Sequence, residues 1–357
     1  MKRLFPILKT VSINVGVFLV LLIVVNWLCG MYMSGKGGEK RNELPNYENN
    51  RQHAQDIFYD YHQVKHRYKP FTEWQTLPYS GKTLTIDKSG YRVHQSNPTT
   101  AGPVVRFFGG STMWGEGADD AHTIPALYHG KSGKGSVANH GQLAYNSRQE
   151  LETLITLYAQ GQKTDVAIFY DGVNDAAFLC PTDITELPGH RLVPMFQNKI
   201  YGGKKQILLT ILNNLFTENI LLVIRHVKNV NDQNKGLYNC ADQEKGKEIA
   251  RMLVETWEIA NTLVTSRGGK FIAILQPASY IGKPRLDHLE LNEELGENFR
   301  FVYDEVKRLM AERNHPWFVD MSNAFDGNQY IYIDFCHVTA NGNEIIAERI
   351  NQILEQP

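Results

Sequence analysis

The chain lacks an excess of either charge: 37 Lys and Arg stand against 38 Asp and Glu, a formal net charge of −1. Without a basic surplus to meet a phosphate backbone, nucleic-acid binding is not expected. A phosphate loop is missing by one residue, since Gly81-Lys82-Thr83 ends like one but Thr76 stands where its first glycine belongs. Metal-ligand sets are also missing. Twelve histidines are available, yet His62 with His66, or His122 with His129, bring no third ligand, and His140 stands alone. No metal and no cofactor are expected. Cysteines are few, four in all. Cys29 lies in an apolar run and Cys336 beside His337, which leaves Cys180 and Cys240 either to pair in an oxidising compartment or to stay as buried thiols.

One long apolar run is present. Lys2, Arg3 and Lys9 precede an uncharged stretch over 10–35 whose centre, 15–29, is almost wholly apolar and long enough to span a bilayer. No convincing small-x-small cleavage site comes after it. Bulky Leu28 before Cys29 makes a poor lipoprotein box, so 1–35 reads as an uncleaved anchor with a cytoplasmic tip. Lys36, Lys40 and Arg41 nearly balance the basic residues on the other side. The body is placed outside the cytoplasm because short N-terminal anchors usually export the domain attached to them. Residues 36–52 read as a flexible polar linker, and 53–102, with Tyr68, Phe71, Trp74 and Tyr79, as an aromatic β-rich extension.

The stretch 104–115, Val-Val-Arg-Phe-Phe-Gly-Gly-Ser-Thr-Met-Trp-Gly, stops a buried strand at two glycines and delivers Ser111. Far along the chain, 332–343 sets Asp334 three residues before His337. A serine, a histidine and a carboxylate make a nucleophile, a base and its orienter. Each piece alone also fits a polar cap at a helix entry. Between them strands and helices alternate: strand 135–139, helix 147–158, strand 165–170, helix 247–266, strand 270–275, helix 291–313, strand 316–320 and helix 342–354. That rhythm predicts a parallel sheet with helices on both faces, following the N-terminal transmembrane helix. Ser111, His140-Gly141 and the 171–175 turn all fall at carboxyl ends of strands, where such sheets bind ligands.

Four blocks in order, Gly109-Gly-Ser111, Asn139-His-Gly141, Gly172-Val-Asn174-Asp175 and Asp334-Phe-Cys-His337, resemble the SGNH hydrolases, the GDSL-like esterase superfamily, over about 104–350. The resemblance implies the three-layer α/β/α, flavodoxin-like form of the sheet, and Ser111 as nucleophile, His337 as base and Asp334 as its orienter. It also implies an oxyanion hole from the backbone N–H groups of Ser111 and Gly141 with the Asn174 amide. The chain departs from the commonest pattern at Gly110, where many members carry Asp, so hydrogen bonding beside the serine must differ. The Gly-x-Ser-x-Gly elbow of other hydrolases is absent, because Met113 stands two residues after Ser111.

The hydrolase-like body covers 103–357 with an insertion at 176–246. Within the insertion, 206–227 clusters apolar residues around Lys204, Lys205 and Arg225, and reads as a lid, an amphipathic helix on the membrane or a buried cap. Asn213, Asn214, Glu218 and Asn219 interrupt it too much for a second span. Trp114 either stacks on a sugar or seals the core, and Gln276, after a strand, falls at the site edge as a second candidate substrate contact. The expected activity is removal or transfer of small acyl groups, O-acetyl above all, on an envelope or exported polysaccharide. A lysophospholipase-like activity and a non-catalytic glycan-binding scaffold are the alternatives.

Overall fold

The apolar run near the N-terminus forms one helix, α1 (Leu4–Lys36), in which the single proline, Pro6, falls in the first turn where it costs no internal hydrogen bond. Lys9–Met33 within it has a mean hydropathy of 2.4 and is long enough to cross a membrane. The computed structural model describes residues 4–36, 39–93, 102–194, 196–197, 202–231, 236–241 and 244–355. They fall into two units, Met1–Glu39 with Pro194–Lys235, and Lys40–Val193 with Gly236–Pro357.

The expected flexible linker is largely folded. Residues Arg41–Glu43 and Pro45–Asn50 are short 3-10 turns. They are held by the buried Tyr47, whose hydroxyl donates to the Gly117 carbonyl at 2.8 Å, and by Asn46, which donates to the carbonyls of Tyr330 and Tyr332. The polar composition misleads because a few well-placed side chains, rather than an apolar stripe, hold the segment. The extension likewise begins with a helix, α2 (Arg51–Gln63), before two hairpins, β1 (His66–Lys69) with β2 (Glu73–Thr76) and β3 (Tyr79–Ser80) with β4 (Thr85–Ile86).

The body is a five-stranded parallel sheet. Its strands are β5 (Val104–Gly109), β6 (Ser136–Asn139), β7 (Val166–Asp171), β8 (Lys270–Leu275) and β9 (Phe318–Asp320), in the order β6-β5-β7-β8-β9. Successive side chains go to opposite faces. Phe108, Phe169 and Phe271 enter one core with the helices α5 (Ser147–Ala159), α9 (Glu244–Thr265) and α10 (Glu293–Arg313). Phe107, Ile168 and Ile272 enter the other with α4 (Ile124–Ser132) and α11 (Ala340–Glu355). Covering both faces is what lets the strands be apolar throughout. Two short helices sit at the carboxyl edge, α3 (Ser111–Trp114) after β5 and α6 (Val173–Leu179) after β7. The chain leaves β5 for the edge strand β6 and then crosses back to β7. The starts of α3 and α6 therefore flank the point where the strand order reverses, the usual ligand crevice of such sheets.

The insertion is smaller than its sequence boundaries. Cys180 and Cys240 form a disulfide across its base, and Pro181 pairs with Tyr238 in an antiparallel bridge. Helices α7 (Lys204–Phe216) and α8 (Glu218–Asn231) belong to the same unit as α1.

Candidate active site

Ser111 opens α3, with Gly110 before it in extended geometry. Its carbonyl accepts from the N–H groups of Gly115 and Glu116, a tight turn that brings Glu116 back beside the serine. The other half comes from the loop between β9 and α11, pinched by a bridge between Tyr332 and Val338. There Asp334 Oδ1 accepts from the N–H groups of Cys336 at 2.9 Å and His337 at 2.8 Å. Asp334 Oδ2 lies 2.7 Å from His337 Nδ1, and His337 Nε2 lies 2.7 Å from Ser111 Oγ. An ionised carboxylate only accepts, so it holds the ring proton on Nδ1 and leaves Nε2 to receive the serine proton. Ser111 and His337 are each 8% exposed, open just enough to meet a small group.

Two charged residues that the sequence reading did not single out join them. Glu116 Oε2 lies 3.2 Å from His337 Nε2. Arg41, from the turn read as linker, donates to Glu116 Oε1 at 2.7 Å and to Asp334 Oδ2 at 3.2 Å, with its guanidinium over the Phe58 and Tyr61 rings. Glu116 had a weak sequence signal, a lone carboxylate between glycines five residues after the serine. Arg41 had none, since it looks like one of several basic residues flanking a membrane run.

Burial works against a charge on His337, but Asp334, Cys336 and Glu116 outweigh it and raise the imidazole well above the ordinary histidine range. Burial would also lift Asp334, yet the imidazole and the two N–H groups hold it below the usual carboxylate range. The buried Cys336 thiol is pushed up to about 12, chiefly by desolvation. Asp334, Cys336 and His337 form a group whose ligand atoms lie within 4.8 Å of one another. Both imidazole nitrogens are already committed, to Asp334 and Ser111, and the thiol is protonated at neutral pH. The group therefore fits proton transfer better than metal ligation.

Asn174, in the first turn of α6, donates from Nδ2 to the Tyr145 carbonyl at 2.6 Å, which fixes the amide and leaves its second N–H to point elsewhere. A Cβ on Gly110 would meet that Nδ2 at 2.1 Å. With Asn174 bonded to the Tyr145 carbonyl, a side chain at 110 would have to displace its amide, which fits the glycine found there. Tyr145 is held in turn by the extension, its hydroxyl donating to the Trp74 carbonyl, while Gln142 accepts from the Thr76 N–H and donates to the Gly90 carbonyl. A capping box between Asn146 and Gln149 starts α5 just after it.

Two expected roles change, those of Gly141 and Gln276, and of the two readings of Trp114 the core one stands. The Gly141 N–H is occupied, donating to Asn139 Oδ1 at 2.9 Å, and Asn139 itself donates to the Met113 carbonyl. The donors that remain for an oxyanion are the Ser111 N–H, which as the first of a helix has no intrahelical acceptor, and the Asn174 amide. Trp114 is 0% exposed, packed with Leu84 and Ile86 under the Arg92 guanidinium, so it seals the core and offers no stacking face. Gln276 is 3% exposed, and its Oε1 accepts from Thr112 Oγ1 at 3.1 Å. It braces the serine turn from β8 and does not face substrate.

No protein-family model matches the chain, and no curated protein matches its sequence. Among solved structures, it is similar to a carbohydrate acetylesterase from Sinorhizobium meliloti, with 13% identity, a TM-score of 0.40, and coverage of 71% of this chain and 98% of that one. It is also similar to a member of the lipolytic protein G-D-S-L family from Veillonella parvula, with 12% identity, a TM-score of 0.40, and coverage of 71% and 99%. Likeness at this level says nothing of chemistry, which rests on the geometry of Ser111, His337 and Asp334.

Proposed function

We propose that the chain is a serine esterase of the SGNH kind, with Ser111 as nucleophile, His337 as general base and Asp334 as its orienter. The observation that carries this reading is the unbroken path from Ser111 Oγ through His337 to Asp334, 2.7 Å at each step. Ser111 Oγ attacks the ester carbonyl carbon as its proton passes to His337 Nε2. The Ser111 N–H and the Asn174 amide stabilise the oxyanion, and Asp334 and Glu116 balance the imidazolium. Collapse breaks the C–O bond, and His337 returns the proton to the departing alcohol. Water, or an acceptor hydroxyl if the enzyme transfers, then attacks the acyl-enzyme by the same route in reverse.

The substrate we favour is a small acyl ester, O-acetyl first, on an envelope or exported polysaccharide, met by a body held outside the cytoplasm by α1. A disulfide between Cys180 and Cys240 supports an oxidising compartment. The shallow, nearly buried serine supports a small acyl group. A lysophospholipase-like activity is the second reading, favoured by the exposed apolar side chains of α7 and α8. The scaffold reading loses ground, since binding alone gives no reason to align a serine, an imidazole and a carboxylate.

The test is a fluorophosphonate reaction followed by intact mass. A single adduct mapping to Ser111 is expected, and none in Ser111→Ala; an unlabelled, folded wild-type chain would refute the assignment. Acetylated oligosaccharides and lysophospholipid offered side by side then separate the two substrates.

A further inference from the structure

Apolar side chains cover α7 and α8 and point away from the body of their own unit: Ile207, Leu208, Ile211, Leu221, Ile224 and Val227 are all exposed. Between Lys205 and Arg225 the only charged residue is Glu218. The two helices are separated by Thr217 and bent by 61°. A break of that kind strands the last carbonyls of one helix and the first N–H groups of the next. In water those groups would be solvated. Here they meet Asn26, a polar residue in the second half of the apolar stretch of α1, 4% exposed where its neighbours Val25 and Trp27 are open. Asn26 Nδ2 donates to the carbonyls of Asn214 at 2.9 Å and Leu215 at 3.2 Å, and its Oδ1 accepts from the N–H groups of Asn219 at 2.9 Å and Ile220 at 3.3 Å. Thr217 donates to Asn213, and Asn213 donates to Glu218. A Cβ on Gly30 would lie 2.8 Å from Asn219 Nδ2, so glycine there gives the Asn219 amide room against α1.

We infer that α7 and α8 are buried in the acyl-chain region of one bilayer leaflet as a bent, re-entrant pair, stapled at its apex to the transmembrane helix by Asn26. Hydrocarbon is the solvent in which stranded backbone groups must find partners within the protein. One amide serving both ends of a break meets that demand. Continuity identifies the occupant of the apolar surface, since the exposed face of α1 in the same unit is already the length of a bilayer core. Dimensions agree. Asn26 precedes Met33, the end of the apolar stretch, by about 10 Å of helix. Helices of 13 and 14 residues are each about 20 Å long, and arms opened to about 120° climb about 10 Å from their apex. An apex at the depth of Asn26 thus returns both outer ends to the headgroup level, where Lys204 and Lys205 stand exposed on one arm. The segment Pro194–Lys235 is entered from Val193 and left to Gly236, both in the other unit, so its two ends return to one body, which suits a dip and return rather than a crossing. Burial of the pair in lipid does not depend on the proposed esterase activity.

Full-length protein in phosphatidylcholine vesicles carrying an acyl-chain diazirine lipid tests it. Photolysis should label both 15–29 and 207–224, as mapped by peptide mass. Label on 15–29 alone overturns the proposal. In the same vesicles, Lys204→Cys and Asn231→Cys should react with an impermeant maleimide from the same side; reaction from opposite sides makes the pair a broken span and also overturns it. Asn26→Leu should speed hydrogen exchange at the amides of Asn219 and Ile220 at least tenfold, with the β5 and β7 amides unchanged. Unaltered exchange at those two amides removes the staple and the proposal with it.

Discussion

Glu116 is one of three groups, after Asp334 and Cys336, whose charge raises the His337 imidazole; Arg41, a cation bonded to Glu116 and Asp334, should oppose them. Glu116 faces His337 Nε2 at 3.2 Å, so it favours the protonated ring. The base works only when neutral, and its pKa lies above the ordinary 6.5, so activity should rise with pH through a limb above that value. Glu116→Gln removes a negative charge, lowers the imidazole pKa and should move the limb to lower pH, read from kcat/KM against pH. An unmoved limb would mean that the carboxylate only fills space. Glu116 left only a weak sequence signal and Arg41 none, because a role set by convergence of distant loops leaves little local spacing. Ser111 was legible because it follows a strand end at two glycines, Asp334 and His337 because they stand three apart in sequence, and Asn174 only through the resemblance.

At the scale of elements, the turn before α3 and the start of α6 behave as one unit. Gly110→Ala should push Asn174 off the Tyr145 carbonyl and lower kcat by about 10²–10³, the cost of one oxyanion donor. Asn174→Ala should lower it similarly, and the double variant little further; additive losses would show that Gly110 serves something else. The strand and helix rhythm of 135–354 was readable from periodicity to within a few residues. Helices α2 and α4 were not. The first hides in a polar, aromatic stretch that buries Ala54, Ile57 and Phe58 on one face, and the second lies in the crossover from the serine turn to β6. The oxyanion role of Gly141 was misread because sequence shows that an N–H exists, not that Asn139 already occupies it.

For the whole molecule, the disulfide closes the insertion at its root, joining residues 60 apart. Replacing Cys180 and Cys240 with Ala should cost the body about 2–4 kcal/mol in urea unfolding, with the Ser111 fluorophosphonate reaction kept under native conditions. A loss well under that range would mean that the core around Cys180 and Cys240 holds the loop without the bond. The parallel sheet with helices on both faces and the position of the site at the carboxyl edge followed from alternation of elements. The true extent of the insertion did not, since a chain that leaves one core to join another is apolar in both.

Arg41 also lies close after the apolar helix α1. If α1 anchors the chain with its body outside the cytoplasm, a protease that cuts just before Arg41 would shed an intact catalyst. A cut a few residues later would shed one without the cation between Glu116 and Asp334. That second fragment, beginning near Glu43, should show its acidic limb displaced to higher pH, the opposite of Glu116→Gln, and added guanidinium should bring it part of the way back. Proteolytic release would then be a form of tuning, with the position of a single scissile bond choosing the pH at which the freed enzyme works.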